Sequence, residues 1–321
     1  MLSRRELLIA AAAAGGTGIA RAQAYPAKPI TMLVPFAAGG AADITARAVS
    51  KGLSEILKQA VVVENKPGAS GIIAAEAMLA RPADGYTLLL ASNSITTTKW
   101  LYPHVAFDAV KDFRGIGMAM KSPHMAVVSE GFPGSSIQDL VRMAKARPGT
   151  INYATAGSGT APHLFGELFQ RQTGTAMVGV PYKGSAPALA AVLGGEVTVY
   201  FDILMSSRAL LSSGRAKSLA VSSAQRLPQF PSVATFAEQG LPGLEQYSWF
   251  GVVAKAGTPD NVIEALNRAL NQTVKDSQFS ERANALGALA VGGTPQAFET
   301  VIRQDTARWG KVIREKKIRL E

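Results

Sequence analysis

A chain of 321 residues that is 47% hydrophobic and 17% charged has room for two domains and buries too much apolar surface to be disordered. Its formal charge of +10 is dispersed, with no segment that interleaves Lys or Arg with aromatics, so small anions rather than nucleic acid are the expected partners. The lack of cysteine excludes disulfides, thiol nucleophiles and thiolate metal sites; His104, His124 and His163 have no H-x-x-x-H spacing, so neither a metal nor a cofactor is expected.

Ser3-Arg4-Arg5-Glu6 precedes an apolar stretch from Leu7 to Ala20, broken by Gly15, Gly16 and Gly18, and Ala22-Gln23-Ala24 supplies an A-x-A cleavage site. That stretch is too short and too glycine-rich to span a bilayer. Residues 1–24 therefore read as an export signal, with Tyr25 as the first mature residue. The arginine pair fits the twin-arginine route, although two arginines in an ordinary n-region serve the unfolded route as well. Losing Arg4, Arg5, Arg21 and Glu6 lowers the formal charge from +10 to +8.

From Ile30 the pattern is strand, glycine turn, helix. An apolar run from Ile30 to Phe36 leads through Ala37-Ala-Gly-Gly40 into a helix over Asp43–Lys58. Val61–Glu64 is the next strand, followed by Asn65-Lys-Pro-Gly-Ala-Ser-Gly71 and a helix through Arg81; Thr87–Ala91 is the third strand. A second unit follows the same rhythm. It has a helix over Ser136–Ala146, a strand at Ile151–Thr155, the loop Ala156-Gly-Ser-Gly-Thr160 and a helix over His163–Thr173. A strand at Met177–Val180, a helix over Ala186–Leu193 and strands at Val197–Phe201 and Leu219–Ser222 complete it. Apolar strands alternating with helices predict mostly parallel α/β sheets in two tandem units. Met125–Val128 and Phe250–Ala254 are candidate crossing strands, with Trp249 and Phe250 as core near the hinge. Two crossings return the amphipathic helices Asn261–Lys275 and Pro295–Lys316 to the outside of the first unit. The basic cluster Arg314–Arg319 is a solvated terminus.

Parallel sheets bind ligands beyond the carboxyl ends of their strands, where loops meet helix N-termini. Pro35–Asp43 enters its helix with Gly39 and Gly40 adjacent and no bulky side chain nearby. Its backbone N–H groups and the helix dipole suit an anion, while Asp43 is also a plain helix-capping residue. Ala156–Thr160 repeats the arrangement and adds the hydroxyls of Ser158 and Thr160. His163 reads equally as a ligand donor or a surface histidine; Asp202 ends a strand and either meets ligand or water or caps the next element. Lys183-Gly184-Ser185 is a third small polar loop. Neither glycine loop is a nucleotide fingerprint. The first lacks the P-loop lysine and hydroxyl, and the second has Pro162 where G-x-G-x-x-G needs glycine. Ala156 stands where a G-x-S-x-G elbow needs its first glycine, and His163 follows Ser158 too closely for easy in-line proton transfer.

The chain resembles the Bug-type solute-binding receptors of tripartite tricarboxylate transporters. Matching stretches are Tyr25–Ile30, Val34–Asp43, Asn65–Gly71, Ala83–Leu89, Gly157–Leu164, Val180–Ala188, Leu193–Val197 leading to Asp202, and Trp249–Gly251 leading to Pro259. The resemblance implies a two-lobed periplasmic binding protein fold (type II-like), with two crossing strands at the hinge. Residues 25–125 and 249–321 would form lobe 1, and residues 126–248 lobe 2. It implies a monomeric periplasmic receptor, not an enzyme, that passes a di- or tricarboxylate or an aromatic acid to membrane transporter subunits. In such receptors ordered waters help hold the ligand, so no arginine is required. By position Phe36, Gly39, Gly40, Ala41, Ala42, Asp43, Ala69, Ser158, Thr160, His163, Gly184 and Asp202 would line the cleft. Ala42 departs from the hydroxyl residue of many relatives. An exported hydrolase with Ser158 as nucleophile and a ligand-presenting sensor component are the competing readings.

Overall fold

The computed structural model describes residues 25–102 and 104–315. The export signal read at residues 1–24 lies outside them, as does the end of the basic terminus.

Three βα units open the chain. Strand β1 (Ile30–Val34) leads into helix α1 (Ala41–Leu57), β2 (Val61–Asn65) into α2 (Ile72–Leu79), and β3 (Thr87–Ser92) into the short α3 (Thr98–Leu101). In α1 the apolar residues Ala42, Ala46, Val49 and Leu53 recur every three or four positions, and all four are buried against the sheet and the C-terminal helices. Strand β4 (Phe113–Ser129) crosses to a second set, α4 (Ile137–Ala146), β5 (Asn152–Thr155), α5 (Ala161–Thr173) and β6 (Val178–Pro181). Helix α6 (Ser185–Leu193), β7 (Val199–Ile203), α7 (Leu204–Ser212) and β8 (Ala216–Val221) follow. Strand β9 (Tyr247–Lys255) crosses back to α8 (Asp260–Lys275), α9 (Ser277–Ala285), β10 (Leu289–Gly292) and α10 (Pro295–Glu315).

The sheet runs β2-β1-β3-β9-β4-β7-β5-β6, with β8 and β10 also pairing to β4. Strands β1, β2 and β3 are parallel to one another, as are β5, β6 and β7. Between these sets the crossing strands run antiparallel. Residues Phe113–Pro123 of β4 pair with β9, and His124–Val127 pair with β7, so one strand changes partner midway. The apolar cores divide with the sheet. One pair of clusters draws on residues 30–120 and 249–302, with Met205 as the exception, and another pair draws only on residues 125–244. This is the two-lobed periplasmic binding protein fold with two crossing strands.

The crossing strands are longer than the sequence pattern predicts. Gly115, Gly117 and Pro123 interrupt the apolar run ahead of Met125, and the register shifts between Gly115 and Gly117 and again between Met118 and Met120. On β9, Gly251 lets helix α10 approach closely: a Cβ there would stand 2.2 Å from the Phe298 ring. Trp249 is buried as expected, its indole donating to Asp305 at 2.7 Å. Helix α10 does more than cover the first set. Beyond Ile302, its Trp309, Val312 and Ile313 pack with Leu101 and with Leu164 of α5.

Candidate ligand-binding site

Parallel pairing brings the carboxyl ends of β1, β2 and β3 to one edge, and those of β5, β6 and β7 to another. On the first edge, residues Ala37–Gly40 are exposed and Gly40 is the N-cap of α1, with no side-chain cap. The first intrahelical bond runs from Ile44 N–H to the Gly40 carbonyl at 3.0 Å, so the N–H groups of Ala41, Ala42 and Asp43 have no carbonyl within the helix. A Cβ at Gly40 would meet only the Ala37 carbonyl, at 3.8 Å. The side chains of Phe36, Ala41 and Ala42 turn to the core, leaving their backbones to serve the edge.

Asp43 is buried and fully engaged. It accepts from Gly39 N–H, Arg47 Nε and Asn65 Nδ2, each at 3.0 Å, and Asn65 also donates to the Phe36 carbonyl at 3.0 Å. Burial alone would raise its pKa, but the Arg47 bond, the Gly39 N–H, Asn65 and the Arg47 charge together outweigh burial and hold it below the usual carboxylate value. Asp43 therefore shapes the loop, with both of its oxygens already hydrogen-bonded. In the loop after β2, Ala69 (φ 44°) and Ser70 (φ 53°) are consecutive non-glycine residues in the left-handed region, a conformation that costs about 1 kcal/mol or more at each. Ser70 Oγ holds this turn, meeting Tyr102 OH at 3.0 Å and donating to the Ser158 carbonyl at 2.9 Å.

On the second edge, Thr160 is the N-cap of α5, and its hydroxyl donates to the Gly157 carbonyl at 2.7 Å. His163 Nδ1 accepts the Gly159 N–H at 2.9 Å, which puts the ring proton on Nε2. Burial lowers the His163 pKa, with Glu167 opposing, so the ring is neutral. The Ser158 hydroxyl makes no hydrogen bond among the described residues. Ser158, His163 and Asp202 form no relay, because the ring nitrogen facing the loop is already taken and Asp202 bonds elsewhere. Gly184 (φ 118°) is the N-cap of α6, and a Cβ on it would meet no atom within 4 Å. Ser185 Oγ donates to Asp202 Oδ1 at 3.2 Å and meets Tyr200 OH at 3.0 Å. Asp202 is fully buried, and that burial pushes its pKa up to about 7.

The two edges touch. Besides Ser70 to Ser158, Thr97 Oγ1 donates to the Gly159 carbonyl at 3.2 Å, and a Cβ on Gly159 would come within 2.4 Å of Leu101. The Pro35–Asp43 loop joins this contact through Pro35, which packs on Gly71. Asn65, Ser70, Thr97, Tyr102, Ser185 and Tyr200 thus take part without having been singled out as site residues. Ser185 had a signal in the Lys-Gly-Ser loop, and Asn65 and Ser70 lie in the matching stretch Asn65–Gly71. Two surface recesses of about 230 and 200 Å³ lie elsewhere, the first beside Arg114 and Glu299 and the second beside Glu64 and Lys66. Arg114 pairs with Asp260, Glu299 accepts from the Gly115 N–H, and Glu64 pairs with Lys66. Among the described residues no three His, Asp or Glu side chains are grouped to hold a metal, and no helix is long and apolar enough to cross a membrane.

A family model described as the tripartite tricarboxylate transporter family receptor matches residues 45–318. The chain belongs to this receptor family. It is 37% identical over 306 residues to BugT of Bordetella pertussis, covering 95% of this chain and 94% of that one. Among solved structures, R. palustris Rpa4515 with adipate superposes with a TM-score of 0.86 at 35% identity, over 92% of this chain and all of that one. MatC from Rhodopseudomonas palustris, with bound malate, gives 0.83 at 28% identity, over 90% of this receptor and all of MatC. The receptor is thus a solute-binding protein of the Bug type.

Proposed function

We propose that this receptor captures a small organic carboxylate, a di- or tricarboxylate or an aromatic acid, between the two edges and delivers it to the membrane subunits of a tripartite tricarboxylate-type transporter. The supporting observation is the pair of edges itself. Each ends in uncapped or glycine-capped helix N-termini, and the two are already in contact through Ser70 and Thr97. The adipate and malate held by the two R. palustris relatives suit such donors. Residues 25–125 and 249–321 form one lobe and 126–248 the other, closing about β4 and β9 by a hinge motion. The receptor works outside the cytoplasmic membrane as a monomer and returns its ligand chemically unchanged. Gly40, Gly184 and the Ser158 hydroxyl face the ligand, while Asp43, Thr160 and His163 hold the loops that do.

A thermal-shift screen of dicarboxylates, tricarboxylates and aromatic acids on the chain from Tyr25 tests this reading. A true ligand at about 100 times its Kd stabilises the fold by about 2.7 kcal/mol. A screen in which no carboxylate raises the Tm contradicts the reading, and so does a carboxylate that is chemically altered on prolonged incubation.

A further inference from the structure

Asp202 is a fully buried ionisable group at the second edge whose bonding is incomplete among the described residues. It ends β7 beside β4, fully buried, and its Oδ2 has no hydrogen-bond partner among the described residues. Its neighbours are uncharged. Oδ1 accepts from Ser185, the first residue of α6. The Ile203 N–H, Tyr200 and Ser207 favour the ionised form, although the Ser207 hydroxyl is itself buried without a hydrogen-bond partner. The charged and titratable groups on the surrounding elements bond elsewhere, although Arg208 Nε on α7 is buried with no partner among the described residues. On β4, His124 meets the Phe201 carbonyl and Ser248; on β5, Tyr153 bonds Glu167; on α7, Arg208 donates to the Ala285 carbonyl. Lys183, in the turn before α6, is exposed. No cation balances an ionised Asp202, and the space over Gly184 beside it is open.

We propose that Asp202 is a protonated hydrogen-bond donor in the ligand-bound receptor, so that capturing a carboxylate takes up as much as one proton from the solvent. The proposal rests on the carboxylate reading above. A ligand carboxylate arriving at the N-terminus of α6 stands next to Asp202 in a dry site. Two facing carboxylates there repel unless one carries a proton. A buffer acid supplies that proton to Oδ2, and the resulting O–H donates to the ligand oxygen. Burial has already brought Asp202 to about 7, so the proton is taken up at little cost near neutrality. Burial holds His124 at about 4, so it stays neutral from pH 6 to 8, and burial also lowers His163 below the ordinary histidine value.

The experiment is isothermal titration calorimetry of the receptor from Tyr25 with succinate, malate and adipate as probes. It is run at pH 6, 7 and 8, each in two buffers of different ionisation enthalpy. Affinity is expected to be about tenfold weaker at pH 8 than at pH 6, with net proton uptake that approaches one at pH 8. The Asp202→Asn variant carries a permanent donor and is expected to flatten the pH profile and lose the buffer dependence, whatever its affinity. Should that variant not fold, infrared or carbon NMR titration of the parent reads the same proton: one carboxyl titrating near 7 that stays protonated at pH 8 once ligand is bound. Tight binding with no buffer dependence overturns the proposal and leaves the carboxylate reading intact. So does tighter binding at pH 8 than at pH 6, which would mean that the bound state favours an ionised Asp202. If none of the probes and no acid in the thermal-shift panel binds, both fall together.

Discussion

Asp43 and Asp202 are two buried aspartates at strand-to-helix junctions, one on each edge of the cleft, and their surroundings drive them to opposite states. Asp43 accepts from a backbone N–H, an amide and a guanidinium, and is held ionised below the usual carboxylate range. Asp202 is buried at least as deeply, keeps one oxygen unpartnered and is pushed up to about 7. Burial acts in the same direction on both. The difference lies in the Arg47 guanidinium, which with the Gly39 N–H and Asn65 outweighs burial at Asp43, whereas the donors around Asp202 are all uncharged and burial prevails. Both oxygens of Asp43 are spent on its own loop, whereas one oxygen of Asp202 is unspent. In the proposed site the first edge thus offers a cradle of backbone N–H groups and the second offers side chains.

The largest expected effect comes from filling the cradle. Gly40 has φ −83°, which any residue adopts, and open space beyond its Cβ direction, so Gly40→Val should fold with little change in Tm. Its side chain would stand beside the free N–H groups of α1, and calorimetry should show affinity falling by more than about a hundredfold. Unchanged affinity would mean the ligand is not held there.

Removing the carboxylate that shapes the cradle is next. Asp43→Ala removes the acceptor shared by the Gly39 N–H, Asn65 and the solvent-exposed Arg47 and should cost about 1–3 kcal/mol of stability in urea unfolding at pH 7. Because the folded pKa of Asp43 lies below its unfolded value near 4, that contribution is present above about pH 4 and is lost as pH falls through the folded value. The gap between parent and variant should therefore close in acid. A gap that stays constant down to pH 2 would break the assignment.

How much of this was legible beforehand differs between the two edges. The alternation of apolar strands with helices marked α1, α5 and both glycine loops within a few residues, because hydrophobic period and glycine position are local properties. Strand β4 was read only from Met125, since Gly115, Gly117 and Pro123 hide a strand whose regularity comes from pairing with β9. Helices α7 and α9 and strand β10 went unseen; α9 is short and polar, with Phe279 and Ala283 buried by packing rather than marked by pattern. In the candidate site, the residue types were legible but their orientation was not. That Asp43 faces Arg47 follows from helical spacing. Asn65 reaching both Asp43 and the Phe36 carbonyl needs β2 beside β1. The Thr160 hydroxyl looked like a ligand donor, and it is already bonded to the Gly157 carbonyl.

That last detail sharpens the next prediction. With Thr160 engaged, Ser158 is the second edge's free hydroxyl in that loop, and a neutral hydrogen bond is worth about 0.5–1.5 kcal/mol. Ser158→Ala should weaken binding about two- to tenfold in stopped-flow, chiefly by faster dissociation. The smallest effect is expected of Thr97→Val. The Thr97 hydroxyl is shared between the Ser94 carbonyl at 2.8 Å and the Gly159 carbonyl at 3.2 Å. Its loss should shift affinity less than about threefold, and a larger shift would make this contact a principal latch between the edges.

The most direct test of the cleft as a carboxylate site is calorimetric titration of the chain from Tyr25 and its Gly40→Val variant with a panel of four- to six-carbon dicarboxylates, citrate and benzoate. The expected result is one-to-one binding of at least one acid in the micromolar range by the parent and none by the folded variant. Equal binding by both proteins, or saturation by neither across the panel, would contradict it.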